Sequence, residues 1–208
     1  MKDKLIIIGA SGHGKVVADI AVKLDKWKKI LFADDDDKIK ECIGFEVLGK
    51  IGDVLKYKME ADFFIAIGNN GKREKIQEKL IQEGLIVSTL IHPSAIIGKD
   101  VEIGIGTVVM AGVVINSFSK IGKGCIINTS VSIDHDNEIG DYVHISPGAN
   151  LAGTVKIGKR TWIGIGSVIS NNVSISSDCI LGAGSVVIKD LPPNCTAVGS
   201  PARPIKFH

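Results

Sequence analysis

The chain has 208 residues, 25 of them basic and 23 acidic, for a formal net charge of +2. That balance leaves no basic excess for a nucleic acid and no polybasic cluster for a membrane surface. No apolar run approaches the ~20 residues of a membrane span, and the apolar part of MKDKLIIIGAS is too short for a signal peptide. The expectation is a cytoplasmic protein with room for one or two domains.

In chain order, KLIIIGA reads as a buried parallel strand ending in glycine. HGKVVADIAVKLDKW follows with helical spacing, placing Val16, Val17, Ile20, Ala21 and Leu24 on one side. KKILFADDDD predicts a second strand ending in acids and ADFFIAIGNN a third. NGKREKIQEKLIQEG predicts a helix, and LIVSTLI a fourth strand. Alternation of strand and helix predicts a small parallel α/β domain over residues 1–88.

From residue 91 to residue 187 every sixth residue is Ile, Leu or Val, beginning Ile91, Ile97, Ile103 and Val109. A six-residue period predicts a parallel β-helix over residues 89–208, in which three short strands make one triangular coil. Residues 18 apart then stack at about 4.8 Å. The fifth hexad position is small or β-branched throughout, apart from Asn137, and suits a narrow interior. Cys125 and Cys179 fall there, three coils or ~14 Å apart, which predicts buried thiols and no disulfide between them. The register never breaks, so no loop is extruded to shape a pocket. Ligand sites need concavity, and a triangular rod closes naturally into a homotrimer, so the sites are expected between subunits.

His135 lies in Ile133-Asp134-His135-Asp136-Asn137. Flanking carboxylates suit a general base because they orient the imidazole and favour its protonated form. Adding 18 to 135 gives Gly153, where a missing side chain lets an acyl oxygen approach a backbone N–H. Spacing alone leaves open a plain surface histidine in an acidic turn. His144 is expected at a corner, reaching the same cleft or merely hydrogen-bonded there. Gly12, His13 and Gly14 form a glycine turn opening a helix, which presents N–H groups to an anion. The spacing is not that of the dinucleotide fingerprint. Asp34 and Asp35 follow the second strand, where such folds hold a ribose or base. Gly68 and Asn69 end the third strand at the same sheet edge. A nucleotide diphosphate fits this set, and so does a tight turn beside a solvated acidic loop.

The motifs IGASGHGKVVADI (8–20), FADDD (32–36), FFIAIGNN (63–70), LIHPSAIIG (90–98), INTSVSIDHDNEIGDYVHISPGANLAG (127–153) and VGSPARPIK (198–206) run along the whole chain. Together they resemble the bacterial sugar acetyltransferases that join a small Rossmann-like domain to a left-handed hexapeptide β-helix. Nucleotide-sugar 4-amino N-acetyltransferases of the bacillosamine type look closest. Sialic acid O-acetyltransferases are near relatives, and a non-catalytic nucleotide-sugar-binding scaffold is the rival outside enzymes. The resemblance implies acetyl-CoA as co-substrate, no metal, a nucleotide sugar such as a UDP sugar, and a role in surface polysaccharide or glycan biosynthesis. It implies His135 as general base, Asp136 as its orienting acid and Gly153 as the thioester-carbonyl contact. His144 matches a second histidine near the acetyl group, and Ile165 and Ala183 match positions along coenzyme A. Asn128 matches an asparagine near the sugar. His13 with its glycine turn matches the phosphate end of the sugar nucleotide, and Asp34 and Asp35 match acids at the base. The chain departs from the pattern at Asp134, where glutamate is frequent, and at Asn137, where a smaller residue is usual.

Overall fold

A computed structural model describes residues 2–208, and the chain divides into two compact units, Met1–Pro93 and Ser94–His208. No helix among the described residues is long and apolar enough to cross a membrane.

In the first unit, strand β1 (Lys4–Ile8) leads into helix α1 (Gly12–Leu24) and strand β2 (Lys29–Ala33). A small hairpin of β3 (Glu41–Cys42) and β4 (Phe45–Glu46) follows. Strand β5 (Ala61–Ile65) and helix α2 (Asn70–Gln82) complete the alternation. The sheet is parallel in the order β2-β1-β5. Leu5 to Ile8 are fully buried, as expected of a parallel strand covered on both faces. On α1, Val17, Ala18, Ile20 and Ala21 are buried, whereas Val16 faces outward. LIVSTLI differs from expectation. It pairs with β5 through a single bridge at Val87, flanked by bonds from the Phe63 and Ser88 N–H groups to the Ile86 and Phe63 carbonyls. Gly84 turns the chain after α2 (φ 75°), and the chain leaves β5 again after Ser88.

The second unit is a parallel β-helix of two-residue rungs. One face runs from Ile96–Ile97 to Val186–Val187, the next from Glu102–Ile103 to Ser174–Ile175, and the third from Val108–Val109 to Ile180–Leu181. Register is 18 throughout: Ile115 opposes Ile133 and Ile133 opposes Leu151. The second residue of each rung points inward, and each fully buried aliphatic contributes about 1.5–3 kcal/mol. The fifth-position residues from Thr107 to Ser185 are buried beside them. On the second face the outward residues alternate in charge, with Lys120 3.5 Å from Glu102 and Lys156 3.0 Å from Glu138. These exposed pairs add little stability each, but they penalise a slipped register.

The corners repeat as strictly as the rungs. A left-handed residue recurs every six positions, as at Phe118, Ser130, Asp136, Tyr142, Thr154 and Arg160. Each of these N–H groups is donated to the carbonyl 19 residues back, for example Asp136 to Ser117 and Thr154 to His135. The αL geometry costs a non-glycine residue roughly 1–2 kcal/mol. The tie to the coil below opposes that cost. The rod ends in an antiparallel hairpin, Cys195–Gly199 with Ala202–Phe207. All four cysteines are free and buried. Cys179 has a neighbour that the hexad count does not reveal, Cys195, with the sulfurs 3.8 Å apart.

Candidate functional site

The acid-flanked histidine sits at the corner joining the first face to the second. Asp136 is left-handed there (φ 57°), and this turns its carboxylate back onto the preceding side chain. Asp136 Oδ2 lies 2.7 Å from His135 Nδ1. An ionised carboxylate only accepts, so the proton resides on Nδ1 and Nε2 is left as the basic nitrogen. Asp134 accepts the His135 N–H at 2.9 Å and the Asn116 Nδ2–H at 2.9 Å. The hydrogen bond to Asp136 raises the His135 pKa above its ordinary 6.5, and the charge of Asp134 raises it further.

Gly153 lies one coil above. A Cβ built there would fall 2.7 Å from both Cε1 and Nε2 of His135. The imidazole therefore occupies the space that any side chain at 153 would fill. Among the described residues the Gly153 N–H has no hydrogen-bond partner, although the residue is buried. An acid-oriented base and an available backbone donor thus share one corner.

His144 is placed differently from expectation. It is not at a corner but on the flat third face, pairing with Ile126 below and Trp162 above. The reason is rung alternation: the residue before each inward aliphatic, here Ile145, points outward. That face lies opposite the His135 corner, because corner 134–137 joins the other two faces. His144 and His135 of one copy therefore do not share a cleft. The His144 ring stacks on Trp162, with centroids 5.3 Å apart and planes 15° off parallel. Asn128 Nδ2 donates to His144 Nε2 at 3.2 Å, and Trp162 Nε1 donates to Ser146 Oγ at 2.8 Å. His144, Trp162, Ile165, Ile180, Leu181 and Ala183 line a shallow, mostly apolar groove of about 430 Å³. Ile165 and Ala183 are thus brought beside His144. Trp162 was not singled out from the sequence. Its signal was a large aromatic at an outward rung position.

In the first unit the glycine turn joins β1 to α1. A Cβ at Gly14 would lie 2.1 Å from the Gly9 carbonyl oxygen, so only glycine allows the helix to start so close to the strand. His13 stands in the first turn of α1, and its Nε2 is buried with no partner among the described residues. Burial lowers its pKa to about 4, with the Arg73 charge adding to the effect. Arg73 is buried in the first turn of α2, donating to the Ile67 and Gly68 carbonyls at 2.9 and 3.1 Å and to Asn70 Oδ1 at 2.8 Å. Asn69 caps α2 by accepting the Lys72 N–H. Both helix N-termini, His13 and the arginine-braced Gly68–Asn69 turn thus stand at the C-terminal ends of parallel strands, where an anion is favoured. Arg73 also escaped the sequence reading, because among Lys72, Glu74 and Lys75 it looks like another solvated charge.

Asp34 does structural work. Its carboxylate accepts the Ala10 N–H at 2.7 Å and the Asp36 N–H at 3.0 Å, clamping the glycine turn to the loop after β2. Asp35 accepts the Ile51 N–H with Oδ1 and borders a cavity of about 320 Å³ walled by Ile51, Leu55, Ile76 and Leu80.

Residues 4–80 match the PglD N-terminal domain family, and residues 154–189 match the bacterial transferase hexapeptide repeat. The UDP-N-acetylbacillosamine N-acetyltransferase of Bacillus subtilis (strain 168) is 40% identical over 117 residues, a match spanning half of this chain and half of that relative. The acetyltransferase domain of PglB from Neisseria gonorrhoeae, solved with acetyl coenzyme A, is 38% identical at a TM-score of 0.94, covering 99% of this chain and 100% of that one. PerB from Caulobacter crescentus, solved with CoA and GDP-perosamine, is 36% identical at a TM-score of 0.92, covering 98% and 97%.

Proposed function

The chain belongs to the sugar N-acetyltransferases that pair a PglD-type N-terminal domain with a hexapeptide β-helix, and from that premise we propose that it moves the acetyl group of acetyl-CoA to the 4-amino group of a nucleotide-linked amino-deoxy sugar. The observation that carries this reading is the His135 corner. Its imidazole is held by Asp136, presents Nε2 outward, and overlies the Gly153 backbone.

The apolar groove beside His144 and Trp162 suits the pantetheine arm of acetyl-CoA, and Ile165 and Ala183 extend it. It lies on the face opposite the His135 corner. Acetyl donor and base meet only if the corner of one copy abuts the third face of another, and three-fold closure into a homotrimer satisfies this for every copy. The neutral sugar amine attacks the thioester carbonyl carbon while His135 Nε2 takes its proton. The C–S bond breaks as the tetrahedral intermediate collapses, the His135 imidazolium returns its proton to the departing sulfur, and coenzyme A leaves as the thiol with no acyl-enzyme formed. The Gly153 N–H stabilises the negative charge developing on the carbonyl oxygen, an effect of about 3 kcal/mol for one such donor. Asn128, beside His144, contacts the sugar. The diphosphate docks at the glycine turn, His13 and the Gly68–Asn69 turn. Asp35 borders the base, and Asp34 shapes the loop that holds it.

The test is CoA thiol release with a panel of nucleotide 4-amino sugars and sialic acids, with His135→Ala alongside. We expect release with a nucleotide 4-amino sugar, and a trimeric His135→Ala protein that binds acetyl-CoA but has lost most turnover. Release only with hydroxyl acceptors would overturn N-transfer, and near-wild-type turnover in His135→Ala would overturn the base.

A further inference from the structure

Position 137 interrupts the small, apolar or hydroxyl-bearing inward series with an amide. Thr107, Thr161 and Ser167 occupy equivalent positions and each donate one bond to the coil above, to the Gly122, Ser176 and Gly182 carbonyls at 2.8, 2.8 and 3.1 Å. Cys125 approaches the Gly140 carbonyl in the same way. Asn137 makes that bond too, from Nδ2 to the Ala152 carbonyl at 3.0 Å. The same amide also reaches back into its own turn, to the Asp134 carbonyl at 2.8 Å and the His135 carbonyl at 3.2 Å. Three surrounding carbonyls settle which end of the amide is NH2. The Oδ1 atom is left buried with no partner among the described residues. Ser185 Oγ, at an equivalent position, is likewise buried without a partner among the described residues, so what sets Asn137 apart is the pair of bonds into its own turn.

The contacts converge on one peptide segment. The His135 carbonyl also accepts the Thr154 N–H at 2.9 Å, and the Asp134 carbonyl also accepts the Ser119 hydroxyl at 2.8 Å. Ser119 in turn accepts the Asn137 N–H at 3.2 Å. The backbone on either side of the imidazole is thereby tied to the coil below and to the coil that carries Gly153. We propose that Asn137 is a positioning residue for the reaction: its buried amide holds the Asp134–His135 backbone so that the imidazole stays over Gly153 and within reach of Asp136. This rests on the reading of His135 as general base.

The ionisable groups facing the imidazole are Asp134 and Asp136. The adjacent coils bring Asn116, Ser117 and Thr154, none of which is ionisable near neutrality. Loosening the turn therefore weakens the Asp136 contact before anything else, and the His135 titration moves down towards the ordinary histidine value.

The experiment compares the full chain with Asn137→Thr, Asn137→Cys and the distant interior control Thr161→Val. Threonine and cysteine keep the bond to the coil above, as at Thr107 and Cys125; threonine loses both bonds into the turn, and cysteine replaces them with one weak sulfur contact to the carbonyl two residues back, as Cys125 makes to Lys123 at 3.8 Å. Misplacement of a reacting group by ~1 Å costs ~100-fold, so partial loosening is expected to lower kcat about tenfold or more. The KM for acetyl-CoA should stay within about twofold, because its groove is on another face. The acid limb of kcat/KM should shift to lower pH, while Thr161→Val loses thermal stability without moving that limb. Wild-type kcat and an unmoved pH profile in whichever Asn137 variant assembles would overturn the proposal. So would a loss of activity that only tracks thermal stability, as in Thr161→Val. His135→Ala separates the two ideas. Retained turnover there defeats the base itself, whereas a dead His135→Ala with a normal Asn137→Thr defeats only the positioning role.

Discussion

Replacing Gly153 with alanine should separate activity from stability. The added Cβ would sit 2.7 Å from two ring atoms of His135 and 3.3 Å from Nδ1. Carbon atoms prefer about 3.5–4.0 Å, so the ring must retreat by roughly 1 Å. Backbone does not obstruct the new methyl, and Gly153 is not left-handed, so alanine is accommodated by moving one exposed side chain. Losing a glycine also restricts the unfolded chain, worth up to ~1 kcal/mol in favour of the fold. A retreat of ~1 Å breaks the 2.7 Å contact with Asp136 and misplaces the base, which costs about 100-fold in turnover, or ~2.7 kcal/mol of barrier. The expected result is a Tm equal to or above that of the parent, an unchanged oligomeric state, and kcat for CoA release down about 100-fold. A kcat within threefold of the parent, or a Tm lowered by several degrees, would refute the geometry on which this rests.

Asp136→Asn should fold normally, since asparagine tolerates the left-handed corner, but it removes the contact that most raises the His135 pKa. A general base at His135 would work only when deprotonated, so the parent is expected to lose activity as pH falls through a value above 6.5. In the variant that acid limb of kcat/KM should move down and kcat should drop; an unmoved limb would count against His135 as the group observed. Trp162→Ala removes the ring stacked on His144 and one wall of the groove. Lost apolar contact costs a bound ligand about 0.8 kcal/mol per buried methylene, so the KM for acetyl-CoA should rise by about fourfold or more, and an unchanged KM would remove Trp162 from that site. His13 binds its proton less readily in the folded protein, with a pKa of about 4 against an ordinary 6.5. The unfolded chain therefore takes up more protons between these values, and stability present above pH 6.5 is lost as pH falls to about 4. The full effect is ~3 kcal/mol, and urea unfolding from pH 7 to 4.5 should show it in the parent but not in His13→Gln. Equal slopes in the two proteins would contradict the burial of His13.

Much of this was legible because the six-residue ladder assigns each residue a direction. Counting 18 from His135 put Gly153 on the next coil, against the imidazole, and the ladder singled out Asn137 as an intruder in the interior. What stayed hidden depends on side chains meeting across coils at offsets other than 18. Trp162 reaches Ser146 and Asn128 reaches His144, both 16 residues away, through rotamers that periodicity does not encode. Cys195 meets Cys179 only because the ladder has ended and the chain turns into the terminal hairpin. His144 was misplaced at a corner because the outward rung residue was counted with the turn. In the α/β unit no repeat supplies coordinates. Asp34 therefore reads as a ligand-facing acid although both its oxygens accept backbone amides, and nothing in the sequence sets the buried Arg73 apart from its charged neighbours.

The uniform offset of 18 between neighbouring rungs also bears on how the rod forms. Each coil closes a segment of the same length on the one before it, at a chain-entropy cost of about 2.6 kcal/mol plus a constant, however long the rod already is. Eighteen residues in a chain of 208 is about 0.09 of its length, within the range of relative contact order found for helical bundles and well below that of sandwiches. An all-β domain is thereby assembled from nearest-neighbour steps, so that a finished coil serves as the template on which the next is laid.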